Sequence, residues 1–508
     1  MSDLFDRSLK RAFMGSVASY TAILVDIVTG FAISVLLVRT LSMEDFGAYK
    51  LITSILLVGT YFSSCGLEST LQRFGTEFTA LRQWNRLKKL LNWVLVIRLS
   101  ALTLFCALVL FFQSQIAEFF NLPRVLVGLL PIVCLILVFQ NSSSLSGQTL
   151  LNIRAAFIEL NLTKVAISLA KVAGFVLVLR LGLGLGGIVN TLLVISAVAA
   201  VYYFLRNMQW LKTLHADETP APDSSVAYAA RIKRFGFFAY LALNANVFRE
   251  LAIDNFVIAH FFGNSEVAIY GLASTLIMFA AYLNPVSTLR GVINQLIISK
   301  HALKGDRSGL VWGHRFLTKI VIFAYFPVLT ILLLMGDKII TIVFSPAYLP
   351  SQAPLNYLCI GYYFLGLVYP FAPLILALEK NALFAMAGVI SLYNLIMDIV
   401  LVPRYGVTGA AIASGTAGIL QLLFYWGAIR WAYRVKIVFP HAALLKTVVN
   451  LFPVAALAFA VRPLVHDLLT LMATLAAMVG VYALMSYWNH VFDEREIGFI
   501  RRAATQRS

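Results

Sequence analysis

The sequence predicts an all-α, polytopic membrane protein of about fourteen transmembrane helices. These are expected to form two six-helix lobes related by a pseudo-two-fold axis, plus two extra C-terminal helices. Three observations carry this prediction. The 508 residues are 60% hydrophobic and 12% charged, with a mean hydropathy of +0.85, whereas soluble chains carry about 45–50% apolar and about 25% charged residues. Charge-free apolar runs cover 99–117, 125–153, 181–205, 267–289, 339–378, 405–429 and 468–492, and a bilayer-spanning helix needs roughly 20 residues. The basic residues, finally, concentrate in alternate connecting segments. This composition excludes secreted, fibrous and disordered classes. The continuity of the runs excludes a β-barrel, whose strands alternate over about ten residues.

Taken in order, Arg7, Lys10 and Arg11 precede a hydrophobic stretch ending at Val38. It is too long for a signal-peptide core and lacks a small-x-small cleavage site, so it reads as a retained first helix. Breaks at charges, Gly and Pro then place helices at 14–38, 49–68, 88–112, 125–149, 156–179, 184–205, 236–262, 267–289, 316–335, 354–378, 382–402, 408–429, 443–461 and 467–489. An even number puts both termini on one side. With that side cytoplasmic, inner segments hold 29 of the 40 basic residues, outer loops hold 7, and Arg98, Lys171, Arg249 and Arg290 fall within helices. This asymmetry is the positive-inside signature of a multi-pass bacterial inner-membrane protein. The net charge of +17 is thereby explained by topology and anionic inner-leaflet lipid, and nucleic acid is not an expected partner.

The longest loop, with His215, Asp217, Glu218, Pro220 and Pro222, reads as a flexible cytoplasmic linker. The expected organisation is an N-terminal lobe at 1–206, the linker at 207–234, a C-terminal lobe at 235–430, and helices 13 and 14 with a cytoplasmic tail at 431–508. Internal similarity supports the two lobes. Phe46-Gly47-Ala48-Tyr49 parallels Val267-Ala268-Ile269-Tyr270 at an offset of 221, and Gly186-Gly187-Ile188 parallels Gly409-Ala410-Ala411-Ile412 at an offset of 223. Six intervening helices give both halves one orientation, an arrangement that places a substrate site between them. Cys65, Cys106, Cys134 and Cys359 lie in apolar segments without CxxC spacing, so they read as packing residues and not as disulfides or metal ligands.

Several segments resemble one family. Arg39-Thr40-Leu41 with Phe46-Gly47-x-Tyr49, Gly66-Leu67 and Gln72-Arg73-Phe74 resembles its first hairpin. Asp254-Asn255-Phe256-Val257-Ile258 with Phe262-Gly263 and Val267-x-x-Tyr270 resembles its helix 7 to helix 8 junction. Asn394-x-x-x-Asp398-x-x-Leu401-Val402-Pro403-x-Tyr405-Gly406-x-x-Gly409-Ala410-Ala411 resembles its helix 11 to helix 12 junction. The family is that of the polysaccharide transporters, or Wzx-type lipid-linked oligosaccharide flippases, of the multidrug/oligosaccharidyl-lipid/polysaccharide (MOP) exporter superfamily. The resemblance implies alternating-access movement of a polyprenyl-diphosphate-linked oligosaccharide from the inner to the outer leaflet, for O-antigen, capsule or exopolysaccharide synthesis. It implies a glycan-lipid substrate as partner, with other polysaccharide-assembly membrane proteins as candidate partners. The motif residues also have a structural reading, in which glycines permit close helix contacts, Pro403 stops a helix and the tyrosines join the interfacial belt.

Ionisable residues at membrane depth cost about 2.5–3.5 kcal/mol each, so they should face a partner or a wet cavity. On a continuous helix 7, Asn246, Arg249, Glu250 and Asp254 would form one polar face, and on helix 8 so would Asn284, Ser287, Arg290 and Asn294. With Arg98 on helix 3 and Lys171 on helix 5, these faces suggest a cationic central cavity whose forked guanidinium donors suit a diphosphate. The expected substrate contacts are Arg290, Arg249, Arg98, Lys171, Asn246 and Asn294. An internal ion pair or a snorkelling side chain is the alternative for Arg98 and Lys171, and Arg249 beside Glu250 also reads as a self-neutralised pair. Asp26, Glu250 and Asp254 are candidates for H⁺ or Na⁺ coupling, with no other cofactor and no metal expected. Asp398 is expected at an interface or cap. Two rivals stay open: a flippase for the peptidoglycan precursor, and a cation-coupled drug antiporter of the same superfamily. Enzyme readings are disfavoured, since outer loops are short and GxxxxGK[ST], HExxH and GxSxG are absent.

Overall fold

The computed structural model describes residues 2–214, 225–244, 247–288, 307–378, 380, 382–494 and 496–498. Helices and turns make up the described residues, with no strand among them. Among the described residues thirteen helical segments are long and apolar enough to cross a membrane, and large apolar side chains such as Leu24, Val28, Val194, Val198, Leu469 and Met472 point outward. Outward apolar faces of this extent suit a lipid solvent. The fourteenth expected crossing is the seventh in order, and it is interrupted.

Contact density divides the chain into two units, Met1–Ala268 and Ile269–Ser508. The expected lobes at 1–206 and 235–430 concern internal symmetry and remain a proposal. The first unit opens with α1 (Ser2–Thr40) and α2 (Met43–Ser64), the latter capped by Ser42, whose side chain accepts from the Asp45 N–H at 3.1 Å. Gly47 of α2 lies against Asn264, where a Cβ would stand 1.9 Å from the backbone oxygen, so only glycine fits this motif position. Left-handed Cys65 and Gly66 turn the chain into α3 (Leu67–Ala80). Most of α3 falls between the expected crossings at 49–68 and 88–112, yet Leu67, Leu71, Phe74 and Phe78 recur at helical spacing and bury one face. Beyond lie α4 (Trp84–Phe111), α5 (Gln113–Phe119), α6 (Arg124–Ser142), a π-helical stretch (Ser143–Thr149), α7 (Leu150–Ile153), α8 (Phe157–Arg180) and α9 (Gly184–Lys212). The helices α10 (Ser225–Asn244) and α11 (Leu251–Phe262) follow. Within the unit α1 packs along α8, α6 along α9, and α11 along α2.

From α12 (Asn264–Tyr282) the chain passes through a turn at Leu283 and Asn284 to α13 (Pro285–Thr288), so helix 8 is broken before Pro285 and not merely kinked. The second unit continues with α14 (Arg307–Lys338), α15 (Gln352–Gly366), α16 (Phe371–Ala377), α17 (Ala382–Met386), α18 (Val389–Tyr405), α19 (Val407–Gly427), α20 (His441–Val461) and α21 (Leu468–Trp488). Its tightest crossing joins α15 and α19, where a Cβ on Gly361 would stand 2.2 Å from the Gly415 Cα. Small residues permit this backbone approach. Asp467 caps α21, and the Thr470 amide and hydroxyl hold its carboxyl below the usual carboxylate range.

Polar contacts join like ends of the crossings. In the first unit Arg231 lies 3.5 Å from Glu77, Lys88 Nζ donates to the Leu214 carbonyl at 3.3 Å, and Arg154 and Arg206 share Glu159. Asn121 Nδ2 donates to the His260 carbonyl at the other end, at 2.7 Å. In the second unit Lys319 pairs with Glu496 and Lys446 donates to the His490 carbonyl, whereas Arg462 donates to Asp337 at 2.8 Å opposite them.

Candidate functional site

The seventh expected crossing is unwound partway along its length. Arg234 is the last basic residue before the ten residues, nine of them apolar or small, that end α10 at Asn244, and α11 has 12 residues beyond the break. At 1.5 Å per residue these pieces are about 15 and about 18 Å long, against a hydrocarbon core of about 30 Å. Between them Val247–Arg249 form one 3₁₀ turn and Glu250 is extended. Among the described residues, Arg249 and Glu250 therefore do not continue the helix that carries Asp254, as the single polar face expected on a continuous helix 7 would require. Unwound backbone is tolerated at membrane depth only where protein or water satisfies it. Here the Glu250 N–H donates to the Val247 carbonyl at 3.0 Å, and Ile253 N–H to the Glu250 carbonyl at 2.8 Å.

Three expected site residues meet at this break. Arg249 and Glu250 are half-buried, and Tyr61 of α2 donates its hydroxyl to Glu250 Oε1 at 2.9 Å. Glu250 stands at the N-cap of α11 and Asp254, fully buried, in its first turn. Both carboxylates thus sit at the N-terminal, positive end of the α11 dipole. Asn255 next to it is also buried, and its Nδ2 donates to Ser54 Oγ of α2 at 3.0 Å.

Arg98 forms a second cluster. Its side chain is 2% exposed and lies 3.5 Å from Glu68 of α3. It also donates to Asn141 Oδ1 of α6, while Asn141 Nδ2 reaches the Leu137 carbonyl at 2.8 Å. Ser144, in the π-helical stretch, donates to the same Glu68 oxygen at 3.0 Å. Nε and Nη1 of Arg98 are buried without a protein partner. This is the internal ion pair that sequence held as the alternative to substrate contact, with two donors left over.

Asp26 and Lys171 form a third cluster. The Ser168 hydroxyl of α8 donates to Asp26 Oδ1 of α1, and Lys171, three residues further along α8, is electrostatically coupled to that carboxylate. The candidate coupling acid and the candidate substrate cation are therefore neighbours. Asn246, Arg290 and Asn294 lie outside the described residues. Of the expected helix 8 face, Asn284 is buried in the turn before Pro285, and Ser287 Oγ donates to the Asn284 carbonyl at 2.9 Å. In the second unit Asn394 Nδ2 donates to Asp398 Oδ2 at 3.0 Å along one helix with both residues fully buried, and Asp398 stands away from both ends of α18 and so caps neither.

Tyr61, Glu68, Asn141, Ser168 and Ser54 were missed by sequence reasoning. Asn141 was legible in principle as an amide inside a charge-free apolar run, and Glu68 as an acid directly after the quoted Gly66-Leu67. The hydroxyls carried no signal, because Ser, Thr and Tyr occur throughout these helices as packing and belt residues.

With this geometry in view, comparison with known proteins is informative. Residues 36–353 match a family described as polysaccharide biosynthesis protein. No curated protein matches the chain. The fold is similar to that of the solved "Lipid II flippase MurJ, inward closed conformation", with a TM-score of 0.70 and 18% identity over 93% of this chain and 98% of that one. It is also similar to an inward-facing multidrug resistance MATE family transporter of the MOP superfamily, with a TM-score of 0.64 and 15% identity over 81% of this chain and 95% of that one.

Proposed function

Because this chain belongs to the polysaccharide biosynthesis protein family, we propose that it moves a polyprenyl-diphosphate-linked oligosaccharide from the inner to the outer leaflet for surface polysaccharide assembly. The chain is a multi-pass membrane transporter of the MOP type and not an enzyme. The finer reading rests on one observation. Its seventh expected crossing is unwound partway along its length with Arg249 and Glu250 at the break, and discontinuous helices with paired ionisable residues mark substrate and ion sites in transporters.

In this reading guanidiniums hold the diphosphate by forked, charge-assisted bonds. Arg249 and Arg290 are the proposed first contacts, Arg98 and Lys171 add positive potential, and Asn246 and Asn294 contact neutral oxygens. Release outside requires that this hold be switchable. Glu250 and Asp254, at the positive end of α11, and Asp26 beside Lys171 supply it by binding H⁺ or Na⁺ in one conformation. The proposed setting is the bacterial inner membrane with both termini cytoplasmic. A second reading, transport of the peptidoglycan precursor, is supported by the extent of fold similarity to a lipid II flippase.

Gene deletion and complementation test the proposal. Deletion should strand lipid-linked oligosaccharide on the inner leaflet and remove surface polysaccharide while cells stay viable. Stranded peptidoglycan precursor with lysis would select the second reading. Arg290→Ala should abolish export, Arg290→Lys retain part of it, and Arg249→Ala weaken it less. Full complementation by the Arg249/Arg290 double alanine variant at normal expression would rule out the cationic-cavity mechanism.

A further inference from the structure

An outward-facing groove between α8 and α9 of the first unit has the dimensions and chemistry of a specific lipid site. Its volume is about 600 Å³, and its walls include Ala166, Ala170, Val194, Val198 and Tyr202. Ala166 and Ala170 make the concavity, because small side chains on α8 stand beside the longer Val194 and Val198 on α9. The two helices then carry the same stripes into a polar rim. On α8 the stripe runs from Ala170 through Ala166 and Thr163 to Glu159, and on α9 from Val194 through Val198 and Tyr202 to Arg206, each step three or four residues and so on one helix face.

The rim is built and carries a surplus positive charge. Arg206 Nε donates to Glu159 Oε1 at 2.7 Å and its Nη2 to Oε2 at 3.2 Å. Arg154 Nη2 reaches Oε2 at 2.7 Å, and the Tyr202 hydroxyl reaches Oε1 at 3.2 Å. Two guanidiniums thus share one carboxylate. Arg206 remains 45% exposed, and Arg154 Nε is buried without a protein partner. The twelve residues from Glu159 to Ala170 and the thirteen from Val194 to Arg206 rise about 17 and about 18 Å along their axes. That is close to half of the roughly 30 Å hydrocarbon core, the depth of one leaflet.

We propose that this groove binds one acyl chain of an anionic phospholipid, with the exposed Arg206 holding its phosphate while Arg154 offsets the charge of Glu159. The length match selects a lipid confined to one leaflet, and the surplus charge selects an anionic headgroup over a zwitterionic one. This site is separate from the break in the seventh crossing and does not depend on the identity of the transported substrate.

The test is fluorescence quenching in vesicles. The full chain, with its four cysteines replaced by serine and Val201→Cys carrying a bimane label beside the groove, is reconstituted in phosphatidylcholine with increasing dibrominated phosphatidylglycerol or dibrominated phosphatidylcholine. One phosphate contact near the surface predicts about fivefold tighter quenching by the phosphatidylglycerol. Arg206→Gln should reduce that preference towards unity and Arg206→Lys should keep most of it. Ala166→Phe should fill the groove and remove the saturable component for both lipids. Equal quenching by the two lipids in the unsubstituted groove, or an unchanged preference in Arg206→Gln, overturns the proposal. So does displacement of the brominated phosphatidylglycerol by an equal mole fraction of undecaprenyl phosphate, which would assign the groove to a polyprenyl chain.

Discussion

Arg98 carries a clear energetic consequence at the scale of one residue. Its guanidinium is buried against Glu68 and Asn141 with Nε and Nη1 unpartnered, so removing the acid isolates a charge in low dielectric. Removing the arginine instead leaves Glu68, which is 40% exposed, free to turn to water. Glu68→Ala should therefore destabilise the protein more than Arg98→Met, by about 2 kcal/mol, below the 3–5 kcal/mol of a fully buried pair because one partner is half-solvated. Thermal unfolding in detergent followed by gel filtration measures this, and the reverse order would show that Glu68 does not neutralise Arg98. A gentler test concerns Tyr61, whose hydroxyl bonds Glu250. Tyr61→Phe should cost about 1.5–3 kcal/mol, the range for a bond to a charged group, and unchanged melting would place that carboxylate in water.

At the scale of elements, glycine positions separate contact from propensity. Gly361 on α15 meets the Gly415 backbone, whereas Gly128 on α6 has nothing within 4 Å of a built Cβ. Gly361→Val should destabilise by about 1–3 kcal/mol through overpacking. Gly128→Ala should be neutral or stabilising by up to about 1 kcal/mol through helix propensity. Melting temperatures of the two variants decide the matter, and equal losses would mean that α15 and α19 do not cross closely. The seventh crossing makes the converse point. The segment Asn244 to Glu250 contains neither Gly nor Pro, the usual marks of a break, so its interruption was not legible in local sequence. The break before Pro285, by contrast, has a local cause, because proline removes a backbone donor wherever it stands.

For the whole molecule the charge split predicts sidedness. Cysteines introduced at Thr213 and Arg82, on a cysteine-free background, should react only with a membrane-permeant maleimide in intact cells. A cysteine at His466 should react with an impermeant one. Impermeant labelling at position 213 would invert or break the fourteen-crossing alternation. What the sequence by itself determined is the set of crossings and their order. Lipid forces each segment to satisfy its own backbone and to present apolar side chains outward, and both demands are met within about 20 consecutive residues. The list of intramembrane charges was legible for the same reason, since a charge inside an apolar run is costly wherever it stands. Only the tertiary structure decided how those charges are neutralised. Asp26 meets Ser168 across 142 residues, Arg98 meets Asn141 across 43, and Tyr61 meets Glu250 across 189. Which faces of two helices touch depends on the packing of every neighbour, so no window of sequence contains the answer.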